Sequence, residues 1–496
     1  MFIRRMLIAA LVAMPVPALA QGIDAATAGH ELERMLGTVS DVLAGVETYT
    51  PPAPDASAVP PDTALLTVEN CVARALAENA QALVAAEDVI QKLAQHDQAK
   101  SMGRPQIQAR ATYVYIDGMP TNLYEPGVLG FLSGIDEDDL ETKKWIVQGD
   151  FLVQQVLYAG GRIKATIAAA KYLADAQEWQ RQVQLAELEY QTRQAYYDFL
   201  LAQALVEVAR ESVGTFDRHG QDAQSKLQAG IASGFEVLRA DTELGNRTAN
   251  LEEAQTAVQL ARMNLLRLIA MPMDTPVELA GKLAWEPLEE TPETLLPVAL
   301  AQRPELRAIE SGIIAAERQV DEKQAQFKPN AAAIVGYNEI EGGPPIVPEG
   351  LNVGIIGEWQ IYTGGRRKAE VAEARSQVRS LQHQQTDLVR LIEFDVRQAY
   401  ARVQEAIAKI RAEKGTVTLA EEGQRLAELR FTEGVGTQSD ILDASLALTQ
   451  ARTGLVQALR DYAVATAALD KAVGKGMYAD TEPMIELTVV EAGGAD

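Results

Sequence analysis

The chain has 496 residues, and its 69 Asp plus Glu outnumber 45 Lys plus Arg to give a formal net charge of −24, which disfavours nucleic acid as a partner and favours cations near the surface. Its one cysteine, Cys71, allows no intrachain disulfide, and the scattered His30, His96, His219 and His383 lack the spacing of a metal site. With no Gly-rich phosphate loop and no nucleophile elbow, the sequence points to no catalytic residue and no cofactor.

The N-terminus reads as a cleavable signal peptide over residues 1–20. Arg4 and Arg5 precede an apolar run from Met6 to Ala13, and Ala18, Leu19 and Ala20 stand before Gln21. Residues 21–66 follow as an extension with a stiff linker at Pro51, Pro52, Pro54, Pro60 and Pro61. No later stretch is apolar enough for a spanning helix, so any crossing of a membrane must use strands.

From Thr67 to Met102 the pattern is helical, with Leu76, Leu83 and Ile90 seven apart, until Arg104 and Pro105 end it. The period then changes to two. Ile107, Ala109, Ala111, Tyr113 and Tyr115 alternate with Gln106, Gln108, Arg110 and Thr112, and after a Gly-rich acidic loop Trp145, Val147, Gly149, Phe151 and Val153 alternate with Gln148, Asp150 and Gln154. The strands are expected near 105–117 and 145–157. A second pair is expected near 330–338 and 351–361, with Ala331, Ala333, Val335 and Tyr337 on one face of its first strand. Each has roughly the 10 residues that a tilted transmembrane strand requires.

Each strand pair feeds a helix of about 66 residues, or about 100 Å at 1.5 Å per residue. The first carries an unbroken 4,3 spacing from Leu188 through Phe199, Val206 and Phe216 to Leu227; the second carries Ile392 through Val403 and Ile410 to Phe431, with polar breaks at Glu413 and Gln424. The returning helices repeat every seven residues at Val237, Leu244, Leu251, Val258 and Leu265, and again at Ile441, Leu448, Leu455, Tyr462 and Leu469.

The chain also resembles itself. Tyr158, Gly160, Gly161 and Arg162 return at Tyr362, Gly364, Gly365 and Arg366, an offset of 204, while Ala75, Leu76, Pro105 and Tyr113 return at Ala299, Leu300, Pro329 and Tyr337, an offset of 224. Two repeats are expected, 67–272 and 291–476, joined by a linker at 273–290 and followed by a tail at 477–496. Four strands cannot close a membrane barrel in one chain, so the barrel must be shared between copies.

The order and duplication of these parts resemble the TolC-like outer-membrane efflux family over residues 67–475. The motifs that carry the likeness are Leu66-Thr67-Val68-Glu69-Asn70, the joints Tyr158–Arg162 and Tyr362–Arg366, and the segment from Phe431 to Ala444. The resemblance implies a mainly α fold with membrane β structure: a homotrimer with a 12-stranded barrel and a long periplasmic α-helical tunnel. It implies outer-membrane lipid, a periplasmic adaptor (membrane fusion) protein and an inner-membrane pump of RND or ABC type as partners. It also implies a passive exit duct for efflux or type I secretion. A secreted coiled-coil adhesin or scaffold is the alternative.

Functional residues follow from the same likeness. Asp440 and Asp443 match the acidic pair that rings the family's periplasmic entrance, and Glu236 holds the first repeat's matching place, with Arg239 opposite Asp443. Where the family fastens that entrance with a tyrosine and an arginine, this chain has Phe431 and Gly436. The turns Gly230, Ile231, Ser233 and Gly434, Val435, Gly436, Thr437 read both as helix caps, with Ser233–Glu236 and Thr437–Asp440 as capping boxes, and as adaptor-docking tips. Tyr113, Tyr115, Trp145, Trp359 and Tyr362 read either as interfacial aromatics or as packing at the strand-to-helix joints.

Overall fold

A computed structural model describes residues 66–115, 145–231, 233–341, 350–481 and 483–484. The signal peptide, most of the Pro-rich extension, the first strand-pair loop and most of the C-terminal tail lie outside the described residues. Two compact units emerge, one holding the strands (residues 100–163 and 325–364) and one holding the helices.

The sheet unit contains β1 (Gln106–Tyr115), β2 (Trp145–Tyr158), β3 (Asn330–Glu341) and β4 (Gly350–Glu358), antiparallel throughout and paired in sequence order. The register aligns the apolar residues into continuous rungs. Ile107, Val153, Val335 and Val353 stand side by side, as do Ala109, Phe151, Tyr337 and Leu351. Much of this face is open, with Leu351, Val353 and Ile355 each more than 70% exposed. A soluble single-sheet protein would cover such a surface. The other face holds the polar set, Gln108, Arg110, Thr112, Gln148, Asp150, Asn338 and Asn352. Because side chains alternate with period two, this separation fails for any one-residue slip of register.

β4 ends at Glu358, three residues short of the sequence expectation. Its last partner is Asn330, and the preceding Pro329 has no N–H with which to extend the ladder. The joints to the long helices turn on paired glycines in the left-handed region, Gly160 (φ 65°) and Gly161 (φ 95°), then Gly364 (φ 64°) and Gly365 (φ 89°). A Cβ on Gly160 would also approach the Ala325 carbonyl oxygen to 2.7 Å.

In the helical unit lie α1 (Val68–Glu78), α2 (Ala80–Ser101), α3 (Arg162–Gln228), α4 (Gly234–Leu268), α5 (Pro292–Gln302), α6 (Pro304–Ala325), α7 (Arg366–Thr432) and α8 (Gln438–Val473). α3 and α7 have 67 residues each. Much of the expected seam is buried, with Leu188, Thr192, Ala195, Phe199, Phe216 and Ala223 on α3 and Ile392, Val396, Val403 and Ile410 on α7, whereas Leu227 at the end of α3 is exposed. One polar break on α7 is explained by its neighbour. Glu413 lies against Gly454 of α8, where an added Cβ would meet its carboxylate at 2.8 Å. Ion pairs join α8 to both long helices, Arg460 with Asp198 at 2.6 Å and Lys409 with Asp461 at 3.3 Å.

The single helix expected from Thr67 to Met102 is broken at Asn79, whose extended backbone (φ −67°, ψ 136°) separates α1 from α2. Asn79 Nδ2 donates to the Leu268 carbonyl at 2.7 Å, and Asn79 Oδ1 accepts from Gln81 N at 2.8 Å. At the place 224 residues on, Arg303 breaks α5 from α6, and its guanidinium donates to the carbonyl of Ala472, 204 residues after Leu268, at 3.2 Å. In both cases a side chain at a helix break satisfies an orphan carbonyl at another helix's C-terminus. The sequence conceals this because asparagine and arginine share no helical signature.

The segment expected as a linker, 273–290, is pinned. Leu66 pairs with Leu279 in a parallel bridge, the Tyr196 hydroxyl donates to the Leu66 carbonyl at 3.2 Å and accepts from Gly281 N at 3.1 Å, and the Tyr462 hydroxyl donates to the Glu286 carbonyl at 2.8 Å. Burial pushes the Tyr196 hydroxyl up to about 12, so it stays protonated and donating. Tyr196→Phe is expected to lower stability by about 1–3 kcal/mol by orphaning Gly281 N, since the Leu66 carbonyl keeps its bond from Ala280 N at 3.0 Å. Gly281→Ala should act the same way, since its Cβ would fall 2.7 Å from that hydroxyl. Chemical denaturation of the purified protein checks both, and unchanged midpoints would remove the tyrosine from this role.

Candidate functional site

Both helical turns are built by one backbone device. α3 and α7 each end in a glycine at positive φ, Gly230 at 73° and Gly434 at 74°. The next N–H reaches back to a helix carbonyl, Ile231 N to Lys226 O and Val435 N to Arg430 O, each at 2.9 Å. Gly436 closes the second turn, its N–H donating to Arg430 O at 2.8 Å. A Cβ there would stand 2.9 Å from Phe431 N. No larger residue fits that backbone, which accounts for glycine where the resemblance implied an arginine.

The returning helices start on the expected caps, with one difference. Thr437 and Asp440 form the complete capping box: Thr437 Oγ1 accepts from Asp440 N at 3.2 Å and Asp440 Oδ2 accepts from Thr437 N at 2.9 Å. Ser233 makes only half of one, accepting from Glu236 N at 3.4 Å. The exposed Glu236 carboxylate makes no hydrogen bond among the described residues, so it retains its full acceptor capacity towards solvent.

Asp440 is exposed, and the Thr437 backbone N–H, then the Thr437 hydroxyl, hold its carboxyl below the usual carboxylate range, with Arg430 adding a smaller pull. Asp443 lies one turn on, also exposed, and accepts from Ser439 Oγ at 3.4 Å. Arg239 is exposed and forms no ion pair with Asp443 among the described residues, so it is Arg430 of α7 that stands electrostatically beside the acidic turn. Phe431 faces a cation directly, with Lys226 Nζ of α3 lying 3.3 Å from its ring centroid. This contact joins the ends of the two long helices.

The turns also expose apolar side chains. Ile231 and Val435 are open, and so are Phe235 and Leu238 in the first two turns of α4. The last two were missed in the sequence. Their signal was an apolar pair off the seven-residue seam of Val237 and Leu244.

The expected interfacial aromatics fall at two ends of the strands. Tyr113 shares a rung with Val147 and Glu341, and both Tyr113 and Tyr115 are exposed. Trp359 and Tyr362 lie past the end of β4. Trp359 Nε1 donates to the Phe327 carbonyl at 3.0 Å, and both Trp359 and Tyr362 are exposed, Tyr362 at 87%. The Trp145 side chain lies outside the described residues.

A family model described as "Outer membrane efflux protein" matches residues 71–270 and 295–475. The chain is 24% identical over 344 residues to the outer membrane efflux protein BepC of Brucella suis, covering 66% of this chain and 72% of that one. It is 26% identical over 306 residues to the alkaline protease secretion protein AprF of Pseudomonas aeruginosa, covering 60% and 64%. The fold is similar to the crystal structure of the outer membrane protein VceC of Vibrio cholerae, with a TM-score of 0.65, 18% identity and coverage of 82% and 96%.

Proposed function

The chain belongs to the outer membrane efflux protein family, and on that premise we propose that it is the passive exit duct through which substrates delivered by an inner-membrane transporter and a periplasmic adaptor leave the cell. Its place is the outer membrane. The observation that carries the reading is the sheet. One face is apolar and open, the other polar, and among the described residues β1 and β4 end the ladder with edge backbone groups unpaired, which a bilayer does not tolerate.

Three copies of the chain, each contributing four strands, close a 12-stranded barrel, with two repeats per chain, 67–272 and 291–476. The apolar face meets lipid and the polar face lines the conduit, with Tyr113, Tyr115, Trp145, Trp359 and Tyr362 at the headgroup levels. The turns at Gly230, Ile231, Ser233 and at Gly434, Val435, Gly436, Thr437 dock the adaptor, and their exposed apolar side chains suit a helical partner. Asp440, Asp443 and Glu236 ring the periplasmic entrance. The duct performs no chemistry, and the transporter provides the energy.

Protein export is a second reading of the same duct, favoured by the similarity to a relative named for alkaline protease secretion. Co-purification with an RND pump rather than an ABC transporter separates drug efflux from type I secretion. The duct itself is tested by extracting the mature protein from outer membranes. Heat-resistant trimers that conduct in planar bilayers are expected. A stable monomer in detergent-free buffer with no conductance would reject the proposal.

A further inference from the structure

The polar face of the sheet is not uniform. On the polar face of the described strands, charges away from the strand ends are Arg110 in β1 and Asp150 in β2, and the register puts them directly opposite one another with Asn338 of β3 next in the rung. Flanking amides tie the rung together. Gln148 Nε2 donates to both oxygens of Asp150, at 2.9 and 3.1 Å, and Asn352 Nδ2 donates to Asn338 Oδ1 at 3.4 Å. Gly336 makes room for this, since a Cβ there would lie 2.4 Å from Asn352 Oδ1.

The two charges are treated differently. Asp150 is half-buried and its carboxylate is occupied by Gln148, whereas Arg110 is exposed and has no ion pair or hydrogen-bonded acceptor from its side chain among the described residues. An always-charged guanidinium is thus presented to solvent on the polar face, in a rung whose negative partner is already hydrogen-bonded. A charge here belongs on the lumen side, because an arginine on the lipid side near the bilayer midplane is strongly disfavoured.

We propose that the rung Arg110–Asp150–Asn338, with Asn352, forms a polar belt on the inner wall of the barrel in which Arg110 sets the charge selectivity, drawing small anions and carboxylates into a conduit whose overall charge favours cations. This rests on the duct reading above and adds a selectivity element in the sheet, distinct from the acidic turn of α8. Rings of arginine or lysine select anions by the same physics.

The test is the reversal potential of the reconstituted channel in a potassium chloride gradient, measured for the native protein, Arg110→Glu, Arg110→Gln and Asp150→Asn. Arg110→Glu is expected to raise the potassium-to-chloride permeability ratio by about threefold or more, Arg110→Gln by less, and Asp150→Asn to lower it. Single-channel conductance reports that each variant is assembled. Should Arg110→Glu fail to assemble, the uncharged Arg110→Gln and the isosteric Asp150→Asn decide the matter. Conducting variants with an unchanged ratio overturn the belt and leave the duct standing; a native protein that never conducts overturns the duct and the belt together.

Discussion

Replacing Asp440 and Asp443 together by asparagine is expected to weaken block of the channel by multivalent cations by about a hundredfold or more, equivalent to about 2.7 kcal/mol of lost binding. Both carboxylates are exposed at the start of α8, one turn apart, and the proposed trimer would bring three such pairs together in one opening. Asparagine is the informative replacement at Asp440. Its side-chain oxygen still accepts from Thr437 N, so the cap survives while the charge is lost. Alanine removes both, and its effect would mix a loss of helix stability with a loss of block.

The pH dependence has a definite sign. Hydrogen bonds from Thr437 depress the Asp440 pKa in the folded protein, so its charge and the stability it contributes are present above the ordinary aspartate value and vanish only as pH falls through the lower folded value. Cation block should therefore persist through mildly acidic pH. Block that is unchanged in the double variant would remove these residues from the entrance.

Arg303→Ala is expected to destabilise the protein by about 2–4 kcal/mol. The side chain is buried and binds three acceptors, the Ala472 carbonyl at 3.2 Å, Glu305 at 2.9 Å and Asp395 at 3.4 Å. Removing it strands the Ala472 carbonyl, while the two carboxylates, a quarter to a third exposed, recover some hydration and temper the loss. Arg303→Lys should rescue little, since a single ammonium cannot reproduce the planar fork. Asn79→Ala, at the matching break, should lose about 1–3 kcal/mol because it holds one carbonyl and one N–H without a charge. Thermal unfolding of the detergent-solubilised protein measures both. Equal midpoints for native protein and Arg303→Ala would show that the break needs no side-chain support.

The cap residues were legible because capping is local. Thr437 and Asp440 lie three apart, as do Ser233 and Glu236, and such spacing is written along the chain. Whether the second pair completes its box was not legible, because the Glu236 carboxylate must choose between its own N-cap and solvent. Phe431 shows a similar limit. It sits at a seam position, but its contact with Lys226 joins residues 205 positions apart on two different helices, and no periodicity reports such a pair. The open Phe235 and Leu238 were hidden for the opposite reason, since an apolar residue near a turn looks alike in sequence whether it is covered or bare.

By itself the sequence determined the periods: two for each strand, seven for each helix seam, and the offsets 204 and 224 at which the parts recur. Periodicity is dictated by covalent geometry, through the alternation of side chains along a strand and the 3.6-residue turn of a helix, and so it survives being read in one dimension. The tertiary structure decided which residues stand opposite one another. It put Arg110 across from Asp150, set Asn79 and Arg303 under the carbonyls of Leu268 and Ala472, and pinned residues 273–290 on Tyr196 and Tyr462. These choices depend on register and on contacts between distant segments, where satisfying a buried polar group matters more than the local preference of the residue that satisfies it.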